Sequence, residues 1–223
     1  MFITGGTGYL GFVLIWKLLT YCLDIGKVYL LMREKKGVCQ EKRLEDMKGH
    51  FLLQSIKKNH PGQLDKMRIV QGDIQEIGRV KNINELFKCS IISVLLSGLA
   101  MSEADRERMK SEINIVFHSA ATIQFNDLLS KSVSLNVRGT KELVDLAKEM
   151  KNLISFVHVS TCYLHCHLQG EVIREEVYPP EEYSVKDVLN MCEHNQGELH
   201  QYLIRSGGVM QLNFSYAISN NIF

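Results

Sequence analysis

The residues best suited to chemistry stand at the start of the chain. Thr4, Gly5, Gly6, Thr7, Gly8, Tyr9, Leu10 and Gly11 follow a β-like run and lead into a segment of helical period. In that context the glycine pattern reads as a dinucleotide fingerprint. Glycine tolerates positive φ in a tight turn and lets the backbone approach a pyrophosphate, whose charge is met by N–H groups at the helix N-terminus. Gly11 lets the helix lie close to the strand. A glycine-rich strand-to-helix turn without a ligand is the alternative.

Leu30-Leu31-Met32-Arg33 puts an arginine about twenty residues beyond the glycines, where a domain preferring NAD usually carries an acid for the ribose hydroxyls. A guanidinium there favours a 2′-phosphate, which it can meet with two parallel hydrogen bonds, and Lys35 and Lys36 add positive charge beside it. The pattern predicts NADPH over NADH; a solvated basic loop is the alternative. Ser160 and Thr161 end a later apolar run, at the edge where open α/β sheets place ligands and reacting groups. A hydroxyl there can hydrogen-bond a carbonyl oxygen as charge develops on it, or be satisfied by neighbouring backbone. Cys162-Tyr163-Leu164-His165-Cys166-His167 offers sulfur and imidazole, but no second ligand pair with zinc-like spacing follows, so no metal is expected. His158, inside an apolar strand, reads as a satisfied core histidine.

Five strand-like runs must position these groups: Met1 to Thr4, Lys27 to Met32, Met67 to Val70, Ile113 to His118 and Ile154 to Ser160. They alternate with segments of helical period, which predicts an α/β fold with a doubly wound parallel sheet of Rossmann type. In the first helix Leu10, Val13, Leu14, Lys17, Leu18 and Tyr21 form the stripe expected to pack on the sheet. Gln40 to Lys58 is helical in character, Leu143 to Met150 repeats the amphipathic spacing, and Asp187 to Leu203 is a weaker candidate interrupted by Gly197. The first strand is short and few residues follow Phe214, so the domain, taken as residues 1–223, reads as truncated at both ends.

Composition narrows the partners. The chain has 223 residues, 26 basic and 25 acidic side chains and a formal charge of +1, so no overall field points to nucleic acid or an anionic membrane. Six cysteines without a repeated spacing and no secretory signal favour a reducing compartment. The apolar stretch Ile91 to Ala100 is far shorter than the roughly 18 residues a bilayer-crossing helix needs.

Taken together, Phe2-Ile3-Thr4-Gly5-Gly6-Thr7-Gly8-Tyr9-Leu10-Gly11, Tyr29-Leu30-Leu31-Met32-Arg33 with Lys36-Gly37, Gly72-Asp73-Ile74, Val116-Phe117-His118-Ser119-Ala120-Ala121, Asn136-Val137-Arg138-Gly139-Thr140 and Phe156-Val157-His158-Val159-Ser160-Thr161 resemble the fatty acyl-CoA reductase branch of the extended short-chain dehydrogenases. The resemblance covers Phe2 to Asp73 and Gly98 to Pro180. It implies that Asp73 sits near the adenine with Ile74 among the cofactor contacts, that Ser119, Ala120 and Ala121 line the cofactor cleft, and that Asn136 fixes the helix beside the active site. Asp73 could instead shape a turn, and Asn136 could cap the helix carrying Val137 to Met150. The implied reaction is NADPH-dependent reduction of a long-chain acyl-CoA through an aldehyde to a fatty alcohol, with Ser160 or Thr161 steadying the oxyanion and Tyr216 supplying the proton. The implied location is the cytoplasmic face of a peroxisomal or endoplasmic reticulum membrane, with the anchoring region outside this chain.

Two departures from that family stand out. Its catalytic tyrosine is followed four residues later by a lysine, whereas Tyr216-Ala217-Ile218-Ser219-Asn220 ends in an amide. Asn220 donates a hydrogen bond but supplies no charge, which predicts weak or absent turnover. Gln75 to Ser97 reads as an insertion between two stretches that lie closer together in the family. A sugar-nucleotide epimerase or dehydratase on the same fold, and a non-catalytic NADPH-binding fragment, are the alternative readings.

Overall fold

The computed structural model describes residues 1–60, 62–75, 98–123, 129–161, 172–175, 186–187 and 189–190. The five expected apolar runs form five strands: β1 (Phe2–Thr4), β2 (Val28–Met32), β3 (Met67–Gln71), β4 (Ile115–His118) and β5 (Ser155–His158). They make one parallel sheet in the order β3-β2-β1-β4-β5. Strand order reverses between β1 and β4, so the crevice beyond their C-terminal ends is the switch point where open α/β sheets bind ligands. The fold agrees with the expected doubly wound, Rossmann-type sheet.

Alternate residues of each strand feed two separate cores, as a sheet covered on both faces requires. Phe2, Tyr29, Val70 and Val116 pack with Met109, Leu143 and Leu146 on one side, while Ile3, Leu30 and Met32 pack with Ile15, Leu19, Leu53 and Ile56 on the other. The helices of the second face are α1 (Tyr9–Tyr21), α2 (Gln40–Lys48) and α3 (Phe51–Asn59). Those of the first are α4 (Glu103–Glu112), α5 (Leu129–Val133) and α6 (Gly139–Lys148), with a π-helical turn, Ser134–Arg138, joining α5 to α6. Glu149 ties α6 to α4 by accepting from Arg106 and, at 2.8 Å, from Lys110.

One sequence expectation is corrected and two readings are sharpened. The packed face of α1 is Gly11, Ile15 and Leu19, one position round from the expected stripe, and Leu10 is 51% exposed. Gly11 sets this phase: a Cβ there would lie 2.8 Å from Gly6 Cα, so the position without a side chain must face the turn, and Ile15 and Leu19 follow at helical spacing. Lys17, outward instead, rests its ammonium 3.7 Å over the Tyr21 ring. Gln40 to Lys58 is two helices, because His50 is extended (ψ 141°) and its Nδ1 accepts the Leu52 N–H at 3.4 Å to start α3. Asn136 caps no helix: it lies inside the π turn.

The two flanks of the expected insertion meet, Asp73 N–H donating to Leu99 O at 2.8 Å. Leu99 is buried with φ +71°, and a Cβ at Gly72 would lie 2.6 Å from its carbonyl oxygen. Among the described residues no helix is long and apolar enough to cross a membrane.

Candidate dinucleotide-binding cleft

β1 ends at Thr4 and the chain turns at once through Gly5, whose φ is +73°. A Cβ on Gly5 would lie 2.6 Å from both Ala120 N and Ser119 C, so the loop leaving β4 crosses directly over this glycine. Gly8 N–H closes the turn on Gly5 O at 2.9 Å, and Gly8 then acts as the N-cap of α1 without a side-chain hydrogen bond. The first turn of α1 carries no acidic residue. Its leading N–H groups lack an i−4 carbonyl, no side chain among the described residues caps them, and they form the positive end of a thirteen-residue helix dipole. Thr7, Gly8 and Tyr9 are exposed around them. A compact anion fits this arrangement better than any group the protein supplies there.

The second wall is built from β2. Arg33 donates through Nη1 to Asp73 Oδ2 at 2.7 Å and to Gln75 Oε1 at 3.2 Å. Asp73 Oδ1 accepts the Gln75 N–H at 3.0 Å, so Asp73 shapes its own turn while holding the guanidinium. A second guanidinium, Arg43 of α2, reaches back to the same place. It donates to the Arg33 carbonyl and, at 3.1 Å, to Thr7 Oγ1 in the glycine turn. Burial and then the Arg33 charge lower the Arg43 pKa, yet a guanidinium stays cationic. Two positive groups thus stand beside the turn, and Asp73 pairs with Arg33. Lys36 (φ +53°) and Gly37 (φ +74°) form the tip of a tight hairpin closed by the Lys35–Val38 pair, which leaves Lys36 exposed.

Ser119 fastens β4 to β1, its N–H and Oγ both donating to Thr4 O at 3.2 and 2.9 Å. Ala120 and Ala121 follow, Ala121 exposed toward solvent. Asn136 then clamps the next residue: its Oδ1 accepts Thr122 N–H at 2.8 Å and its Nδ2 donates to Thr122 O at 3.0 Å. Ile74 presses on the start of α6, where a Cβ at Gly139 would come 2.6 Å from its Cγ1.

Behind this wall His118 is fully buried, with Nδ1 2.6 Å from Thr4 Oγ1 and Nε2 2.8 Å from Thr140 Oγ1. Burial, helped by neighbouring His158, pushes its pKa down to about 3. His158 stacks against it with ring centroids 5.0 Å apart. The expectation of a satisfied core histidine is corrected here, because among the described residues His158 Nδ1 is buried without a hydrogen-bond partner. Ser160 and Thr161 leave the C-terminal end of β5 on the exposed side of the same crevice.

The turn residues, Arg33, Asp73, Ile74, Ser119, Ala120, Ala121 and Asn136 are thus gathered along one edge of the sheet, with Ser160 and Thr161 at its β5 end. Tyr216, Asn220, Cys162 to His167 and the body of the expected insertion lie outside the described residues. Sequence reading missed Arg43, which carries no signal beyond being one of many basic side chains on helices. It also missed any role for His118, although a histidine ending an otherwise apolar strand was a visible signal.

Comparison with known proteins gives this cleft its relatives. A family profile described as Male sterility protein, an NAD-binding family, matches residues 3–78 and 83–207. Fatty acyl-CoA reductase wat of Drosophila melanogaster is 38% identical over 178 residues, which are 80% of this chain and 30% of that protein. Human fatty acyl-CoA reductase 1 is 36% identical over the same length and shares. The chain spans about 30% of the length of the curated relatives it matches. Among solved structures, a thiolation-reductase di-domain from an archaeal non-ribosomal peptide synthetase superposes with TM-score 0.52 at 18% identity, covering 94% of this chain and 49% of that one. The reductase domain of a Mycobacterium tuberculosis nonribosomal peptide synthetase gives TM-score 0.51 at 24% identity, covering 74% and 34%. At such identities these two establish the fold alone, while the family match supports a nicotinamide cofactor. With its profile matched along most of the sequence and its switch-point turn intact, the chain belongs to the Male sterility protein family of NAD-binding domains.

Proposed function

We propose that this chain is the NADPH-binding part of a reductase acting on long-chain fatty acyl-CoA. One observation carries the cofactor: two guanidinium groups, Arg33 and Arg43, converge beside the glycine turn, with Arg43 3.1 Å from Thr7 Oγ1. A 2′-phosphate at that place gains charge-assisted hydrogen bonds from both, while the unpaired amides of α1 take the pyrophosphate. Asp73 holds Arg33 from the opposite side. Lys36, on its hairpin tip, adds long-range attraction rather than a fixed contact.

The substrate class rests on the fatty acyl-CoA reductases that the chain resembles. Bound NADPH would supply a hydride to the thioester carbonyl, releasing CoA and leaving an aldehyde; a second NADPH, exchanged for the spent NADP+, would supply the hydride that gives the alcohol. Ser160 and Thr161, at the open end of β5, hydrogen-bond the carbonyl oxygen as negative charge builds on it. Tyr216 supplies the proton. Asn220 cannot stand in for an ammonium group beside that phenol, so turnover by this chain is low, by a factor on the order of 10² to 10⁴.

Calorimetric titration of the 223-residue chain with NADPH and with NADH tests the cofactor. The expected result is binding of NADPH at least about tenfold tighter, the equivalent of about 1.4 kcal/mol. A preference for NADH overturns the assignment. Acyl-CoA-dependent oxidation of NADPH, compared between the native chain and Asn220→Lys, tests the catalytic part; no gain from the lysine rejects the role given to Tyr216.

A further inference from the structure

His118 is the buried titratable group that the proposed chemistry does not use. Its partners fix its protonation. Thr140 donates its single hydroxyl hydrogen to Asn136 O at 2.6 Å, so toward His118 Nε2 it can only accept. The imidazole is then the Nε2–H tautomer, and Nδ1 accepts from the Thr4 hydroxyl. One ring therefore connects the last residue of β1, from which the glycine turn springs, to the helix whose Asn136 grips Thr122 on both backbone groups.

This chain of bonds lies on one side of the crevice. Arg33, Arg43 and Asp73 stand at the β2–β3 side, and Ser119 to Thr122 with Ser160 at the β4–β5 side. A dinucleotide laid across the switch point, with its phosphorylated adenosine over the arginines, extends its nicotinamide half over β4 and β5.

We infer that His118 is a positioning residue for the nicotinamide half of the cofactor, a neutral imidazole that locks the strand beneath the glycine turn to the helix holding the Ser119–Thr122 wall. The inference rests on the dinucleotide reading given above. His118 touches no cofactor atom in this account; it acts through Thr4 and through Thr140 with Asn136. Its two nitrogens match one donor and one acceptor, which no apolar ring of the same size can do.

The test uses the full chain, two ligands and two variants. His118→Phe keeps the ring and removes both hydrogen bonds; Thr140→Val keeps the shape and removes the acceptor together with the hydroxyl's own bond to Asn136 O. Dissociation constants are measured for NADPH and for adenosine 2′,5′-bisphosphate, which lacks the nicotinamide half. Each variant is expected to weaken NADPH by about fivefold to tenfold while leaving the bisphosphate within about twofold. Equal weakening of both ligands, or of neither, overturns the inference. Failure of the unaltered chain to bind either ligand overturns the dinucleotide reading itself, and the inference with it. If His118→Phe does not fold, Thr140→Val carries the test, together with imidazole nitrogen NMR. The unaltered chain is expected to give the Nε2–H signature, and any other tautomer overturns the inference.

Discussion

Acidifying from pH 6.5 to pH 4.5 is expected to lower the unfolding free energy of this domain by about 2 kcal/mol through His118 alone. The imidazole has an ordinary value of 6.5 and is held down to about 3 in the fold by burial, then by His158. A group with a depressed folded pKa of this kind binds its proton more readily in the unfolded chain. The penalty is absent above pH 6.5, grows by about 1.4 kcal/mol per pH unit below it, and levels off near pH 3. His158, also lowered by burial, adds to the loss in the same direction. Glu112, held low by Tyr29 and Lys27, and Glu149, held low by Lys110 and Arg106, lose stability only below their ordinary value of 4.5. Above 4.5 the loss comes from the histidines and from the Met1 ammonium, whose value burial also lowers, and comparison with a His118 variant separates His118 from the rest. A loss of that size is a large fraction of the roughly 5 to 15 kcal/mol that a domain possesses. Urea unfolding followed by circular dichroism at several pH values measures it, with His118→Gln as the reference. The variant starts about 1 to 3 kcal/mol lower at pH 7, from its lost hydrogen bonds, and the gap narrows with acid. Parallel pH profiles for the two proteins would refute the assignment of a neutral, buried imidazole.

Arg43→Ala is expected to weaken NADPH binding by tenfold or more while leaving NADH within about twofold, since a charge-assisted hydrogen bond contributes about 1.5 to 3 kcal/mol; calorimetry with both nucleotides checks this. Gly139→Ala puts a Cβ 2.6 Å from Ile74 Cγ1 and should destabilise the fold by about 1 to 3 kcal/mol, read as a lower denaturation midpoint. Asn136→Ala removes both bonds to the Thr122 backbone, so the Thr122 amide should exchange its hydrogen faster than the Leu143 amide in the interior of α6.

The sheet was legible because β1 and β2 are short apolar runs buried almost throughout, and β3, β4 and β5 keep an apolar run in spite of partly exposed positions. The glycine turn was legible for a different reason: its residues are local, and positive φ at Gly5 demands glycine. The packing face of α1 was not, because the apolar residues run nearly all round it and its rotation is fixed by a contact between Gly11 and the turn. Arg43 and Thr140 were invisible for the same kind of reason. Their roles come from partners far along the chain, Thr7 for one and His118 for the other, and nothing in their immediate neighbours announces it.

The hydrogen bond from Asp73 to Leu99 has a consequence for how such a domain can vary. The two flanks are pinned to each other at one point, and the entropy of closing a segment between two such points rises only with the logarithm of its length. A change of length between the flanks is therefore expected to leave Asp73, and through it the Arg33 guanidinium, in place.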